Sequence, residues 1–188
     1  SVKLIQGDRG RFTAAQVQDA VNDPRAPWLA RTRLVSIENS CNRGGGAIWD
    51  LAEVARIRNV CDAHRLAFHM DGARIFNAIA VTSEAPDLWG RRFDSVSICL
   101  SKGLGAPAGS VLVGSRDLIH EARRVRKRLG GGMRQAGILA AACMHALDHH
   151  VQHLPDDHAR AERLGAALRK HPSVMEVMPV TTNIVIAT

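Results

Sequence analysis

The stretch SICLSKGLGAPAGSVLVG, residues 97–114, holds a single basic side chain, Lys102, between an apolar run and a glycine-rich bend. Two chemistries suit it. It is either a solvated lysine on a surface turn, or an amine held at a strand end to bind a carbonyl as a Schiff base. A lysine removed from water has a lowered pKa, so its amine is neutral often enough to attack a carbonyl carbon. A second apolar run, LAFHM, leads into Asp71, Gly72 and Arg74. In open α/β sheets, ligands sit outside the carboxyl ends of the strands. A carboxylate and a lysine at neighbouring strand ends suggest pyridoxal phosphate. The lysine takes the aldehyde, and the acid keeps the pyridine nitrogen protonated so that the ring draws electrons from a carbanion. Gly103, Gly105, Ala106 and Gly109 are small enough to let the backbone come close to such a ligand.

The elements that must hold these residues follow from periodicity. Thr13 and Gln16 have capping-box spacing and predict a short helix at their position. TRLVSIEN predicts a strand ending near Glu38, followed by a glycine-rich loop, Gly44 to Gly46. Leu51, Val54, Ile57, Val60 and Cys61 recur at helical steps and predict an amphipathic helix. LAFHM reads as a short buried strand, SVSICL as a second strand and GSVLVG as a third. SRDLIHEARRVRKRL, AGILAAACMHALDHH and DDHARAERLGAALRK read as helices, and TNIVIAT as a last strand. Strands alternating with helices predict an α/β fold with a mainly parallel sheet. The link between SVSICL and GSVLVG is too short for a parallel crossover, so that pair is expected to be antiparallel or to lie at an edge.

Composition excludes several classes. The chain has 188 residues and 46% hydrophobic content, enough for a packed core. No apolar run is long enough to span a bilayer, so no membrane partner is expected. The net charge of +7 is concentrated at Arg123, Arg124, Arg126, Lys127 and Arg128. That run fits one amphipathic helix. With 4% aromatic residues and no tyrosine, stacking platforms are scarce, and nucleic acid is not the expected partner. Cys41, Cys61, Cys99 and Cys143 show no C-x-x-C spacing and read as free thiols in a reducing, cytoplasmic compartment. His145, His149 and His153 fall four residues apart but lack a convincing acidic or thiol co-ligand, so no metal is expected.

HMDGARIFNA, SICLSKGLGAPAGSVLVG and LGGGMRQAGILAAA, with RTRLVSIEN upstream, closely resemble in order and spacing the threonine aldolase family of fold type I pyridoxal phosphate enzymes. The resemblance runs along nearly the whole chain. It implies a lyase that cleaves a β-hydroxy-α-amino acid, threonine or allo-threonine, to glycine and an aldehyde by retro-aldol chemistry. It implies Lys102 as the Schiff-base lysine, Asp71 facing the pyridine nitrogen, and Arg74 on the substrate carboxylate. Ser101 would donate to the cofactor phosphate, and Arg134 would stand near that phosphate or at a subunit contact. His69 and Glu38 would orient the acid and the loop. The implied assembly is a homo-oligomer, dimer or tetramer, because family sites form between subunits.

The match departs from the family pattern where Thr-His-Asn usually follows Glu-Asn; here Ser40, Cys41 and Asn42 stand there. A histidine that many members carry before ARTRL is replaced by Trp28, which cannot accept a proton. Against the family, the chain reads as a fragment. A large cofactor-binding domain would span residues 1–153, without its N-terminal part. A truncated small domain would begin at 154, near Pro155. The alternatives are another fold type I lyase or transaminase, or a truncated, non-catalytic relative.

Overall fold

The computed structural model describes residues 1–188. Helix α1, Ala14–Ala20, starts at Thr13, whose side chain accepts from the Gln16 amide while the Gln16 side chain accepts from the Thr13 amide. This is the capping box expected from the sequence. Strand β1, Leu34–Glu38, is followed by α2, Leu51–His64. The helix is capped by Asp50 and ends at Arg65 in the left-handed conformation (φ 54°). Then come β2, Ala67–Asp71; α3, Ile75–Thr82; α4, Pro86–Gly90; β3, Ser95–Cys99; and β4, Ser110–Gly114. The chain continues through α5, Arg116–Arg128, α6, Gly137–His149, a 3₁₀ turn at Val151–His153 and α7, Leu154–Leu168.

The four strands form one sheet in the order β1-β2-β3-β4. The first three are parallel, in a register that sets Glu38 beside Asp71 and Asp71 beside Ser97. β3 and β4 are antiparallel, as the short lysine-bearing link requires. Side chains alternate across a strand. One set, Val35, Ile37, Phe68, Met70 and Val96, is buried against Val17 of α1, Val54, Ile57 and Cys61 of α2, Ile75 and Ala78 of α3 and Trp89 of α4. The other set, including Leu34, Ser36, Ala67, His69 and Asp71, is exposed or half-buried. LAFHM is therefore a strand with one buried face and not one buried on both.

A second, smaller core gathers Leu100, Leu104 and Ala106 of the lysine turn with Ala146 of α6 and Leu154 of α7. α5, the arginine-rich helix, contributes no buried residue.

Two local expectations change. TNIVIAT forms no ladder. Its backbone meets residues 175–178 through Met178 N–H to the Ile186 carbonyl (3.0 Å) and a single Val177–Ala187 bridge. Its β-forming residues have only that short segment to pair with. Between Asp71 and Ser95, where periodicity gave no element, α3 and α4 form. β-Branched residues in IFNAIAVT mask a helix that burial of Ile75 and Ala78 stabilises. Pro155 occupies the first turn of α7, where a missing N–H costs nothing.

Candidate functional site

Three parallel strands end side by side, and each end carries a residue singled out in the sequence. Glu38 closes β1, Asp71 closes β2, and Ser101 and Lys102 lie just past β3. Backbone bonds tie the ends together. The Asn39 N–H donates to the Asp71 carbonyl (2.9 Å), and the Gly72 N–H to the Ser97 carbonyl (2.8 Å). A Cβ built at Gly72 would stand 3.1 Å from the Ser97 carbonyl oxygen and 3.1 Å from Val96 Cγ1, so glycine suits this close crossing. Asp71 Oδ1 accepts from the Ala73 N–H at 3.0 Å, which fixes the carboxylate at the strand end. Alternation places it on the exposed face of the sheet with His69, whose Nδ1 lies 2.8 Å from Ser95 Oγ. Glu38 Oε2 accepts from the Asn42 N–H (3.1 Å) and so holds the start of the glycine-rich loop.

Lys102 sits in a turn closed by the Gly105 N–H on its own carbonyl (2.8 Å). The Ala106 N–H donates to the Leu100 carbonyl and the Leu100 N–H to the Gly109 carbonyl, both at 3.0 Å. Gly105 and Gly109 take positive φ, 71° and 114°, which glycine adopts at little cost. His150 Nδ1 donates to the Leu104 carbonyl at 2.6 Å and pins the turn from the helical side. Lys102 and Ser101 are both exposed. The desolvation expected of a Schiff-base lysine is thus not supplied by these residues, because nothing covers this face of the sheet.

Arg74 is half-buried at the N-cap of α3, and its carbonyl accepts from the Asn77 N–H (3.0 Å). It stands three residues from Asp71, on the same connection. Arg134 is exposed in the link between α5 and α6.

The two departures from the motif have clear surroundings. Trp28 is 81% exposed in a loop. Cys41 is buried, and its thiol donates to the Glu38 carbonyl (3.1 Å). Burial, reinforced by the Glu38 charge, pushes its pKa up to about 11, so it remains a neutral thiol at neutral pH. Neither residue supplies a base.

His145 and His149 lie with ring centroids 4.5 Å apart, but α6 ends at His149, so His153 falls out of their helical spacing. No three His, Cys, Asp or Glu side chains are grouped to hold a metal. The four cysteines form no disulfide. No helix is long and apolar enough to cross a membrane.

Sequence reasoning missed Asn39, Asn77, His150 and His158. Asn39 Nδ2 and Ser40 Oγ are buried without a partner immediately after Glu38. The adjacency of Asn39 to a strand-end acid was a usable signal. The other three depend on contacts between distant segments, which spacing does not reveal.

A family model described as beta-eliminating lyase matches residues 1–188. Low-specificity L-threonine aldolase 1 of Arabidopsis thaliana is 37% identical over 178 residues, covering 94% of this chain and 50% of the relative. The low specificity L-threonine aldolase of Escherichia coli O157:H7 is 48% identical over 162 residues, covering 82% and 45%. The chain spans about half the length of the curated relatives it matches. Among solved structures, a putative L-allo-threonine aldolase from Listeria monocytogenes superposes with a TM-score of 0.81 at 20% identity, over 97% of this chain and 49% of that one. A Leishmania major threonine aldolase gives 0.80 at 20%, over 96% and 53%. At that identity the superpositions establish the fold, that of the threonine aldolases.

Proposed function

Starting from the chain's membership of the beta-eliminating lyase family, we propose that it carries the lysine-bearing core of a pyridoxal 5'-phosphate enzyme that cleaves threonine or allo-threonine to glycine and an aldehyde. The observation that carries this is the set of neighbouring strand ends, with the exposed amine of Lys102 beyond β3 and the pinned carboxylate of Asp71 on β2. The donor set fits the cofactor, with an amine for its aldehyde, a carboxylate for its ring nitrogen, and the Ser101 hydroxyl and a guanidinium for anionic groups. When bound, the cofactor supplies an electron sink for the carbanion left when the Cα–Cβ bond breaks.

The chain's own residues then have separable tasks. Lys102 holds the cofactor covalently. Asp71 keeps a proton on the ring nitrogen by its negative charge. Arg74, on the same connection as Asp71, binds the substrate carboxylate, for which a guanidinium offers two parallel donors. Ser101 donates to the phosphate, and Arg134 reaches a phosphate or a neighbouring subunit. His69, hydrogen-bonded to Ser95, and Glu38, bonded to the Asn42 amide, keep the acid and the glycine loop in place. The base that takes the β-hydroxyl proton is neither Trp28 nor Cys41.

The exposed sheet face and the exposed apolar residues Leu129, Met133 and Ile138 around Arg134 support assembly as a homo-oligomer, dimer or tetramer. Residues 1–153 form the large domain in this proposal, and 154–188 begin a small one. The free cysteines suit a reducing compartment such as the cytoplasm.

The test is product analysis with threonine and added pyridoxal phosphate. Glycine with acetaldehyde supports the aldolase. A keto acid identifies a transaminase on the same scaffold, and no turnover with intact folding identifies a non-catalytic relative.

A further inference from the structure

Asn77 and His158 belong to none of the tasks assigned above. Asn77 is 4% exposed and lies in the first turn of α3. Its backbone N–H donates to the Arg74 carbonyl (3.0 Å), so it is fixed to the connection that carries Asp71 and Arg74. Its side chain turns toward two other parts of the molecule. Asn77 Nδ2 lies 3.0 Å from His158 Nε2 on α7, a bond that spans 81 residues of chain. A Cβ built at Gly103, the residue after Lys102, would stand 3.7 Å from Asn77 Oδ1, 3.8 Å from its Nδ2 and 3.2 Å from Leu154 Cδ2. Asn77 is therefore bonded through its backbone to the acid-bearing connection and through its side-chain amide to α7, with Gly103 of the lysine turn so close that an added methyl would meet that amide.

An amide N–H can only donate, so His158 Nε2 accepts and its ring proton sits on Nδ1. His158 is half-buried. Burial lowers its pKa, with Asp157 opposing, which favours the neutral ring that this bond needs. Leaving either partner unsatisfied in a buried site is costly, so the pair sets one arrangement of α3, α7 and the turn between them.

We propose that Asn77 and His158 are positioning residues that lock the Lys102 turn between α3 and α7, fixing the approach of the lysine amine to the strand end that carries Asp71. This rests on Lys102 being the cofactor lysine. Neither residue touches reacting atoms; they act through the turn.

The experiment uses the pyridoxal phosphate-loaded protein with His158→Phe, which keeps a ring but removes the acceptor, and His158→Gln, which restores one. Asn77→Ala serves if the phenylalanine variant fails to fold. Three quantities are read: the site of borohydride labelling, the pH midpoint of the cofactor absorbance, and the rate at which hydroxylamine strips the cofactor. The label stays on Lys102 in every variant. In His158→Phe or Asn77→Ala the midpoint moves by about one pH unit, a tenfold change in the proton equilibrium of the bound lysine. Stripping quickens by a similar factor. His158→Gln returns both toward the parent, a rescue that a loss of general stability would not give. Parent-like midpoints and rates in folded His158→Phe and Asn77→Ala, or a glutamine variant no better than phenylalanine, overturn the proposal while leaving the lysine assignment standing. A parent label on another residue overturns the lysine assignment itself, and the proposal with it.

Discussion

The Asp71 end of β2 and the Lys102 turn after β3 adjoin in the sheet, yet they are held in different ways. The Asp71 end is fixed by the parallel register with β1 and β3, by the Gly72–Ser97 bond and by the sixteen-residue core beneath Phe68 and Met70. The Lys102 turn rests on a core of five buried residues, two of them supplied by α6 and α7, and on the His150 bond to the Leu104 carbonyl. The carboxylate is therefore positioned by elements close to it in sequence. The lysine is positioned by helices that the chain makes some fifty residues later. The acid end should be robust in any context that folds the sheet, whereas the lysine end depends on α7 docking.

The largest expected break in that contrast comes from Leu154→Ala. Leu154 is 1% exposed and is α7's contribution to the small core. Its truncation should cost about 2–5 kcal/mol. Hydrogen exchange should show the Leu100, Gly105 and Ala106 amides losing protection while the Gly72 amide keeps its own. Equal loss at both sites would mean that the two ends are one cooperative unit.

Cys41 sharpens the acid side, because it sits in the loop hung from Glu38. With its pKa raised from 9.0 to about 11, about a hundredfold less thiolate is present than for an ordinary cysteine at pH 8. Alkylation of Cys41 in the folded protein should lag the unfolded protein by at least that factor. Prompt labelling in the fold would show that the loop opens easily.

Gly72→Ala attacks the acid end directly. Its Cβ would press on the Ser97 carbonyl and Val96, a strain of about 1–3 kcal/mol. Denaturant midpoints should fall, with the Lys102 turn no more protease-sensitive than before. Selective cleavage in that turn would contradict the separation.

The smallest effect belongs to a control at the opposite end of the sheet. Burial raises the Asp94 carboxyl, but hydrogen bonds from Arg58 (2.9 Å) and the Phe68 N–H (2.7 Å) outweigh it, and its pKa lies below the ordinary value. A lowered carboxylate pKa contributes stability above the unfolded value, 3.8, which is lost as pH falls through the folded pKa. The Arg58–Asp94 ion pair lost in Arg58→Ala should account for about 1 kcal/mol or less at neutral pH, since the Asp94 side chain is 52% exposed although that of Arg58 is only 17% exposed. Chemical denaturation at neutral and acid pH should show the difference fading as Asp94 protonates. A difference that persists in acid would assign the loss to the Arg58 guanidinium, which lies over the Phe68 ring at 5.8 Å from its centroid.

The strand-end residues were legible in the sequence because each follows an apolar run and is marked by glycine or another chemically distinct neighbour. The antiparallel β4 was legible too, from the length of the link alone. The helix α3 was hidden because its β-branched residues argue locally against a helix that packing stabilises. The Asn77–His158 pair was hidden because nothing local joins residues on α3 to residues on α7. Periodicity also could not show that only one face of the sheet would be covered, since an exposed Ser36 or Ala67 looks the same as one buried by a distant segment.

The central claim is that Lys102 carries the cofactor. Treatment of the protein with pyridoxal 5'-phosphate and borohydride, followed by digestion and peptide mapping, tests it most directly. The account predicts a reduced pyridoxyl group on the peptide containing Lys102, lost in Lys102→Ala. A label on another lysine, with the Lys102 peptide unmodified, would contradict it.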